Sequence, residues 1–262
     1  MSGIDILSSV PLYVEPWFRD ERLGVATGFT WVTPRALVLV TNWHVVSGRN
    51  CDTRRPVASH GGVPDRLRVA FPRKERREEP IWIDVPVTDE DDEPLWSEHP
   101  VHGHAVDIAA IPIDSFPDAS EVWVTPINVP PQVMLKQRIG MPLFILGFPF
   151  GRNGFGMPVW KQGSFASEPF LSPQFDRHLI VDTASRPGMS GSPAIQRAHG
   201  EVELEDGSHG RTTNGDGAWR FIGIYSGRFH TNDQQDAQLG RVWPVRLVED
   251  VVRAAVEHAG DR

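Results

Sequence analysis

An all-β fold of two lobes followed by one helix is what this sequence predicts, and three observations predict it. Short apolar stretches rich in Val, Ile, Thr, Phe and Trp recur between turn-forming segments. The 262 residues include 24 Gly and 23 Pro, which suits many strands and turns rather than a helical bundle. Helical spacing shows near residue 250, where Val248, Val251, Val252, Ala255 and Val256 fall at i, i+3, i+4, i+7 and i+8.

Taken in order, Thr27–Val32 reads as a strand, Thr33-Pro34-Arg35 as a turn, and Ala36–Thr41 as a second strand that delivers His44. Residues 57–101 are Pro-rich and charged, with an acidic patch at Asp89–Glu93. Leu67–Phe71 and Ile81–Val87 read as strands there, and the rest as a surface insertion. Val106–Ile113 is an apolar run carrying one acid, Asp107, and a polar stretch to about Val124 follows it as the connection between lobes. Further strands are expected at Pro142–Phe148, Val159–Ala166, Leu179–Thr183, Phe221–Tyr225 and Arg241–Pro244, with a polar hairpin excursion over Gly200–Gly217 and a helix over 246–258. No internal repeat of 20 to 50 residues is present. All-β chains of this length commonly form one unit, so residues 1–262 are expected to be a single domain.

Composition removes several functions. A net charge of −8 with scattered Lys and Arg leaves no basic footprint for nucleic acid. No apolar run approaches the ~20 residues that cross a bilayer. The single cysteine, Cys51, cannot form an internal disulfide, and the first thirty residues lack a charged start followed by an apolar core, so a cytoplasmic location is expected. His99, His102 and His104 crowd together, yet no second cluster of acids or cysteines stands at a telling spacing. A solvated loop is the expectation, with no metal and no cofactor. Cys51 has no flanking group that would stabilise a thiolate and reads as incidental.

The segment Ser185-Arg186-Pro187-Gly188-Met189-Ser190-Gly191-Ser192-Pro193-Ala194 displays one hydroxyl in a tight glycine-flanked loop that leads into an apolar strand. Gly188 can turn its N–H inward beside that of Ser190, giving two donors for an oxyanion. A serine hydroxyl is a weak nucleophile and needs a neighbouring base, itself oriented by a third group. Thr41-Asn42-Trp43-His44-Val45-Val46 offers the base and Ala105-Val106-Asp107-Ile108-Ala109 the acid. Asp84 and Asp114 compete for the third role, but only Asp107 opens an apolar strand that could bury it against an imidazole. A serine between glycines is common in loops, and a lone histidine is more often a satisfied core residue; ordered together, the three segments favour chemistry.

These segments resemble the motifs of trypsin-like serine peptidases, especially the bacterial HtrA-like and glutamyl-endopeptidase-like branch. Gly188-Met189-Ser190-Gly191-Ser192-Pro193 resembles G-x-S-G-[GS]-P, and Thr41–Val46 resembles T-x-x-H-V-V. The intervals of 63 residues from His44 to Asp107 and 83 from Asp107 to Ser190 fit that family with an enlarged first lobe. The resemblance implies two six-stranded antiparallel β-barrels, at about 10–125 and 126–245, ahead of the C-terminal helix. It implies that His44, Asp107 and Ser190 form a catalytic triad, with Gly188 and Ser190 N–H groups as oxyanion donors. Phe221–Gly227 would pair with an extended polypeptide substrate through Tyr225, Ser226 and Gly227.

Departures from the family pattern carry information too. Met189 stands where digestive-type enzymes carry an aspartate, and no Ile-Val-Gly-Gly-like start is present, so activation by N-terminal cleavage is not implied. The floor of the primary specificity pocket would fall on Ala184, which does not imply cleavage after Lys or Arg. Tyr225 stands where glutamate-specific relatives carry histidine, although Arg186 or Arg228 could attract an acid; an uncharged residue before the scissile bond is the expectation. A free-standing protease endangers its host, which points to narrow specificity or a regulatory protein partner. The alternative is a latent or inactive protein that keeps the fold as a binding scaffold. An α/β-hydrolase esterase is set aside, because Ser192 replaces the second glycine of its motif and His44 comes first.

Overall fold

The computed structural model describes residues 3–58, 61–113, 116–151, 156–169, 178–184, 186–212, 215, 217–228 and 239–260. The first lobe contains β1 (Pro11–Phe18), β2 (Glu21–Arg22), β3 (Ala26–Val32), β4 (Leu37–Thr41), β5 (Arg66–Phe71), β6 (Ile81–Pro86) and β7 (Ala109–Pro112), with the short helix α1 (Trp43–Ser47) after β4. Its strands run in the order β6-β5-β1-β3-β4-β7, with β2 added to β1, and every pairing is antiparallel. The second lobe contains β8 (Pro142–Gly147), β9 (Val159–Phe165), β10 (Leu179–Asp182), β11 (Pro193–Ala198), β14 (Ala218–Arg228) and β15 (Leu239–Pro244), which close into a barrel. A hairpin of β12 (Glu201–Glu203) and β13 (His209–Arg211) projects from it, and α2 (Val245–Gly260) follows β15.

The sequence expectation of two six-stranded barrels is met in the second lobe, while the first is a sheet of six strands in line with the two-residue β2 added as a seventh, and the lobes close differently. In the second lobe the ladder is continuous. In the first, the sheet curls without a ladder between β6 and β7, and the seam is stitched by Ser97 pairing with Ala110 and by the Leu95 N–H donating to the Val87 carbonyl. Leu67, Val69 and Val85 nevertheless share one buried cluster with Leu39, Ala109 and Ile111, so hydrophobic packing draws the sheet round where hydrogen bonds do not.

β1 has no counterpart among the strands expected from sequence. It lies between β3 and β5 at the centre of the first sheet. Pro11, Glu15 and Pro16 mask it, since proline cannot donate to a ladder and a buried acid breaks the apolar pattern. The structure resolves the acid's cost: Glu15 accepts from Tyr13 Oη at 3.1 Å, Trp17 Nε1 at 3.1 Å and Arg22 at 3.0 Å.

The largest buried cluster crosses between the lobes. Phe29, Val38, Val40, Ile108 and Ala110 from the first pack with Leu146, Ile195, Phe221, Ile224 and Trp243 from the second. Phe29 and Phe221 meet edge to face at 5.5 Å and 73°. The helix α2 lays Leu247, Val248, Val251, Val252 and Ala255 onto the same cluster and packs against β4 and β7 as well as β14 and β15, as its 3.6-residue periodicity requires.

Candidate active site

β4 ends at Thr41, and α1 begins two residues later with Asn42 as its extended N-cap. The helix stops after one turn at Gly48, whose φ of +65° favours glycine and whose N–H closes on the His44 carbonyl at 3.1 Å. His44 is thereby held on a rigid turn at the edge of the lobe. Asp107 sits just ahead of β7 and is 1% exposed. Its carboxylate accepts the His44 main-chain N–H at 2.9 Å through Oδ1 and meets the His44 ring at Nδ1, 2.7 Å from Oδ2. Asn42 Nδ2 donates to the Asp107 carbonyl at 2.7 Å, fixing the acid's own backbone. Burial pulls the imidazole toward neutrality, but the Asp107 charge and its hydrogen bond together outweigh it, so the His44 pKa stands above the ordinary 6.5.

Ser190 lies half-buried in the turn that leads into β11 of the second barrel. Gly188 has φ +94°, and a Cβ built there would lie 2.2 Å from the Phe148 carbonyl oxygen, so both conformation and space demand glycine. Gly191 is confined likewise, with φ +84° and Thr27 O at 1.8 Å from such a Cβ. Among the described residues nothing accepts from the N–H of Gly188 or of Ser190, and Ser190 Oγ makes no hydrogen bond. His44 and Ser190 line the same two cavities, which places them across one cleft.

Residues 26–202, more than half of the chain, match the family described as Trypsin-like peptidase domain. The chain belongs to that family. Among solved structures, a serine endoprotease from Yersinia pestis is 15% identical, with a TM-score of 0.49, over 95% of this chain and 64% of its own. The present chain thus spans less than two thirds of that protein's length. Protease Anisep from Arthrobacter nicotinovorans is 11% identical, with a TM-score of 0.53, over 95% of this chain and 96% of its own. At that identity the second likeness shows a shared fold. No curated protein matches the chain.

In this trypsin-like peptidase domain the loop carrying Ser190 is held from the other lobe by a residue that the sequence reading passed over. Thr27 of β3, wholly buried, donates its N–H to the Ser190 carbonyl at 2.7 Å and its hydroxyl to the Gly188 carbonyl at 2.7 Å. The signal lay in Ala26-Thr27-Gly28, where a polar residue interrupts an apolar strand. Met189 is 1% exposed within the second barrel's core, so apolar burial anchors this loop.

The residues expected to meet substrate divide. The Tyr225 side chain is buried among Leu143, Val181 and Val242, while its main chain accepts from Gly191 N–H at 2.9 Å and donates to the Ser192 carbonyl at 2.8 Å. Ser226 and Gly227 line the cleft, and the β14–β15 register breaks between Tyr225 and Arg228, leaving these two residues outside the paired positions. Ser226 Oγ accepts from Trp243 Nε1 at 3.1 Å. Ala184 is half-buried and lies outside the lining of either cavity. Ser185, Asp114 and the side chain of Arg228 lie outside the described residues.

Two cavities of about 330 Å³ each flank His44 and Ser190. One holds Ser226 and Gly227 and is charged. There Arg241 makes a two-pronged ion pair with Asp52 at 3.1 Å for each contact, tying strand β15 to the loop after α1, and Cys51 lies beside it. Burial, then the charges of Asp107 and Asp52, push the Cys51 thiol up to about 12 against the opposing pull of Arg241. The other cavity is walled by Leu23, Val25, Ala26, Val45, Val57 and Pro187.

The histidine group also departs from expectation. His99 is 5% exposed rather than solvated, stacks on His102 at 4.8 Å, and accepts at Nδ1 from the N–H groups of Val101 and His102. Among the described residues no group of three His, Cys, Asp or Glu could hold a metal, and no helix is long and apolar enough to cross a membrane.

Proposed function

We propose that this chain is an active serine endopeptidase whose triad is His44, Asp107 and Ser190. His44 Nε2 takes the proton of Ser190 as Oγ attacks the scissile carbonyl. The oxyanion is received by the N–H groups of Gly188 and Ser190. His44 then protonates the departing amine, and water repeats the sequence on the acyl-enzyme. Asp107 holds the imidazole with Nε2 directed to the serine. Extended substrate pairs along Ser226 and Gly227, and the residue before the scissile bond is uncharged.

The observation that carries this reading is the doubly anchored Asp107–His44 pair facing Ser190 across one cleft, beside two N–H groups, of Gly188 and Ser190, that no described residue accepts from. We read residues 1–262 as one two-lobed unit, because its largest buried cluster draws on both lobes. An intracellular setting belongs to the same reading, supported by a lone buried cysteine in place of any disulfide.

A second reading, latency until a protein partner acts, draws support from the lack of a hydrogen bond between Ser190 Oγ and any described residue. Such bonds are often long in unliganded enzymes and tighten with substrate, which favours the active form.

The test is fluorophosphonate labelling of the purified protein, with the adduct located by peptide mass spectrometry and the experiment repeated on Ser190→Ala and His44→Ala. An adduct on Ser190 that both variants lose supports the active reading. Absence of any adduct on the wild type overturns it in favour of latency.

A further inference from the structure

Peptidases of this chemistry bind two halves of a chain, and the two cavities beside His44 and Ser190 differ sharply in character. The Ser226–Gly227 cavity contains Asp52, Arg186 and Arg241. In the opposite cavity, among the described residues, His44 is the only titratable group, and the walls are Leu23, Val25, Ala26, Val45, Val57 and Pro187.

The order of bond breaking assigns a half-chain to each. The acyl half stays on Ser190 and is tied to the second lobe by main-chain pairing at Ser226 and Gly227. The leaving half takes its proton from His44 and departs along the first lobe. The apolar cavity is built almost wholly from that lobe, including Val45 and Gly48 of the turn that carries His44. Its volume of about 330 Å³ exceeds what one aliphatic side chain needs.

We propose that this cavity is a specificity site for a large apolar residue on the leaving-group side of the scissile bond, at the first or second position after it. The proposal rests on the peptidase reading above. Burying an aliphatic side chain there favours it over a charged one, which would lose water and find no partner among these walls, by tenfold or more. Leu23 and Val25, both half-buried on the segment between β2 and β3, are the specificity-determining residues.

The experiment uses the reverse of the acylation step. An activated ester of an N-blocked amino acid acylates Ser190 and releases its alcohol. The acyl-enzyme then partitions between water and an added amino-acid amide: the acyl–Oγ bond breaks, an acyl–nitrogen bond forms, the amine proton passes to His44, and the proton returns to Oγ. Leucinamide and phenylalaninamide are expected to capture the acyl group at least tenfold more efficiently than aspartamide or lysinamide. Leu23→Glu should collapse that ratio toward one, and the nearly isosteric Val25→Thr should reduce it without threatening the fold. Ester turnover by the wild type with no discrimination among amides would overturn this inference alone, as would discrimination that both variants retain. Absence of ester turnover would instead strike the peptidase reading itself.

Discussion

Thr27 and Ser190 belong to different lobes, yet the Thr27 N–H donates to the Ser190 carbonyl at 2.7 Å while its hydroxyl donates to the Gly188 carbonyl two residues earlier. One residue of the first lobe therefore sets the backbone of the loop on the second. Thr27→Val keeps the main-chain bond and the volume but strands a buried carbonyl, and Phe148 N–H loses its contact with the hydroxyl at 3.3 Å. A loss of about 1–3 kcal/mol is expected. Denaturant unfolding measures it, and a fall in ester turnover with substrate binding intact would report the loosened loop.

Asp107→Asn preserves size but removes the charge that, in the proposed triad, directs the His44 tautomer. Turnover should fall on the order of 10⁴-fold, as in the well-studied Ser-His-Asp case, with little effect on affinity.

The pH dependence of the wild type has two opposite consequences at one residue. Because the His44 pKa is raised above 6.5 in the folded protein, activity, which in the proposed mechanism needs the neutral ring, should rise as pH climbs through that raised value. Stability runs the other way. The charged imidazole's contribution is full below 6.5 and is lost as pH rises through the folded pKa. Melting temperatures measured from pH 5 to 9 should show this component in the wild type and lack it in His44→Ala.

Gly188→Ala meets a carbonyl oxygen at 2.2 Å and a φ of +94°. The loop must move, and with it one proposed oxyanion donor. A drop in turnover of roughly 10²–10³-fold is expected, read from ester hydrolysis beside an unfolding curve that shows the variant folded.

Cys51, with its thiol near 12, should resist alkylation at pH 8 by roughly a thousandfold relative to the same residue in urea. Its burial favours the neutral thiol, so this component of stability is present below 9.0 and declines between 9.0 and about 12. Rapid labelling of the native protein by iodoacetamide would contradict the buried placement.

Sequence revealed the architecture wherever one face or one segment carried the whole signal. Thr27–Val32 and the amphipathic stretch around Val251 fell where their patterns put them, while the apolar run from Val106 forms a strand only from Ala109, leaving Asp107 just ahead of it rather than at its start. β1 escaped because Glu15 and two prolines break its pattern, and only Tyr13, Trp17 and Arg22, gathered around the acid in three dimensions, explain it. The chemical segments were legible because each is short and local. Thr27, the Asp52–Arg241 pair and the buried His99 were not, since their roles depend on partners 161, 189 and 151 positions away in the chain.

The helix α2 rests on strands of both lobes, and that fact bears on when the protein can work as well as how. Synthesis delivers the N-terminal part first, so His44 and Asp107 leave the ribosome well ahead of Val248, Val251 and Ala255. Until those side chains arrive, Val38, Val40 and Ala110 on the strands flanking His44 and Asp107 lack part of their cover. A nascent chain would thus hold two of the proposed catalytic groups without part of the packing around them. On the proposed reading, competence to cut would come late in biogenesis.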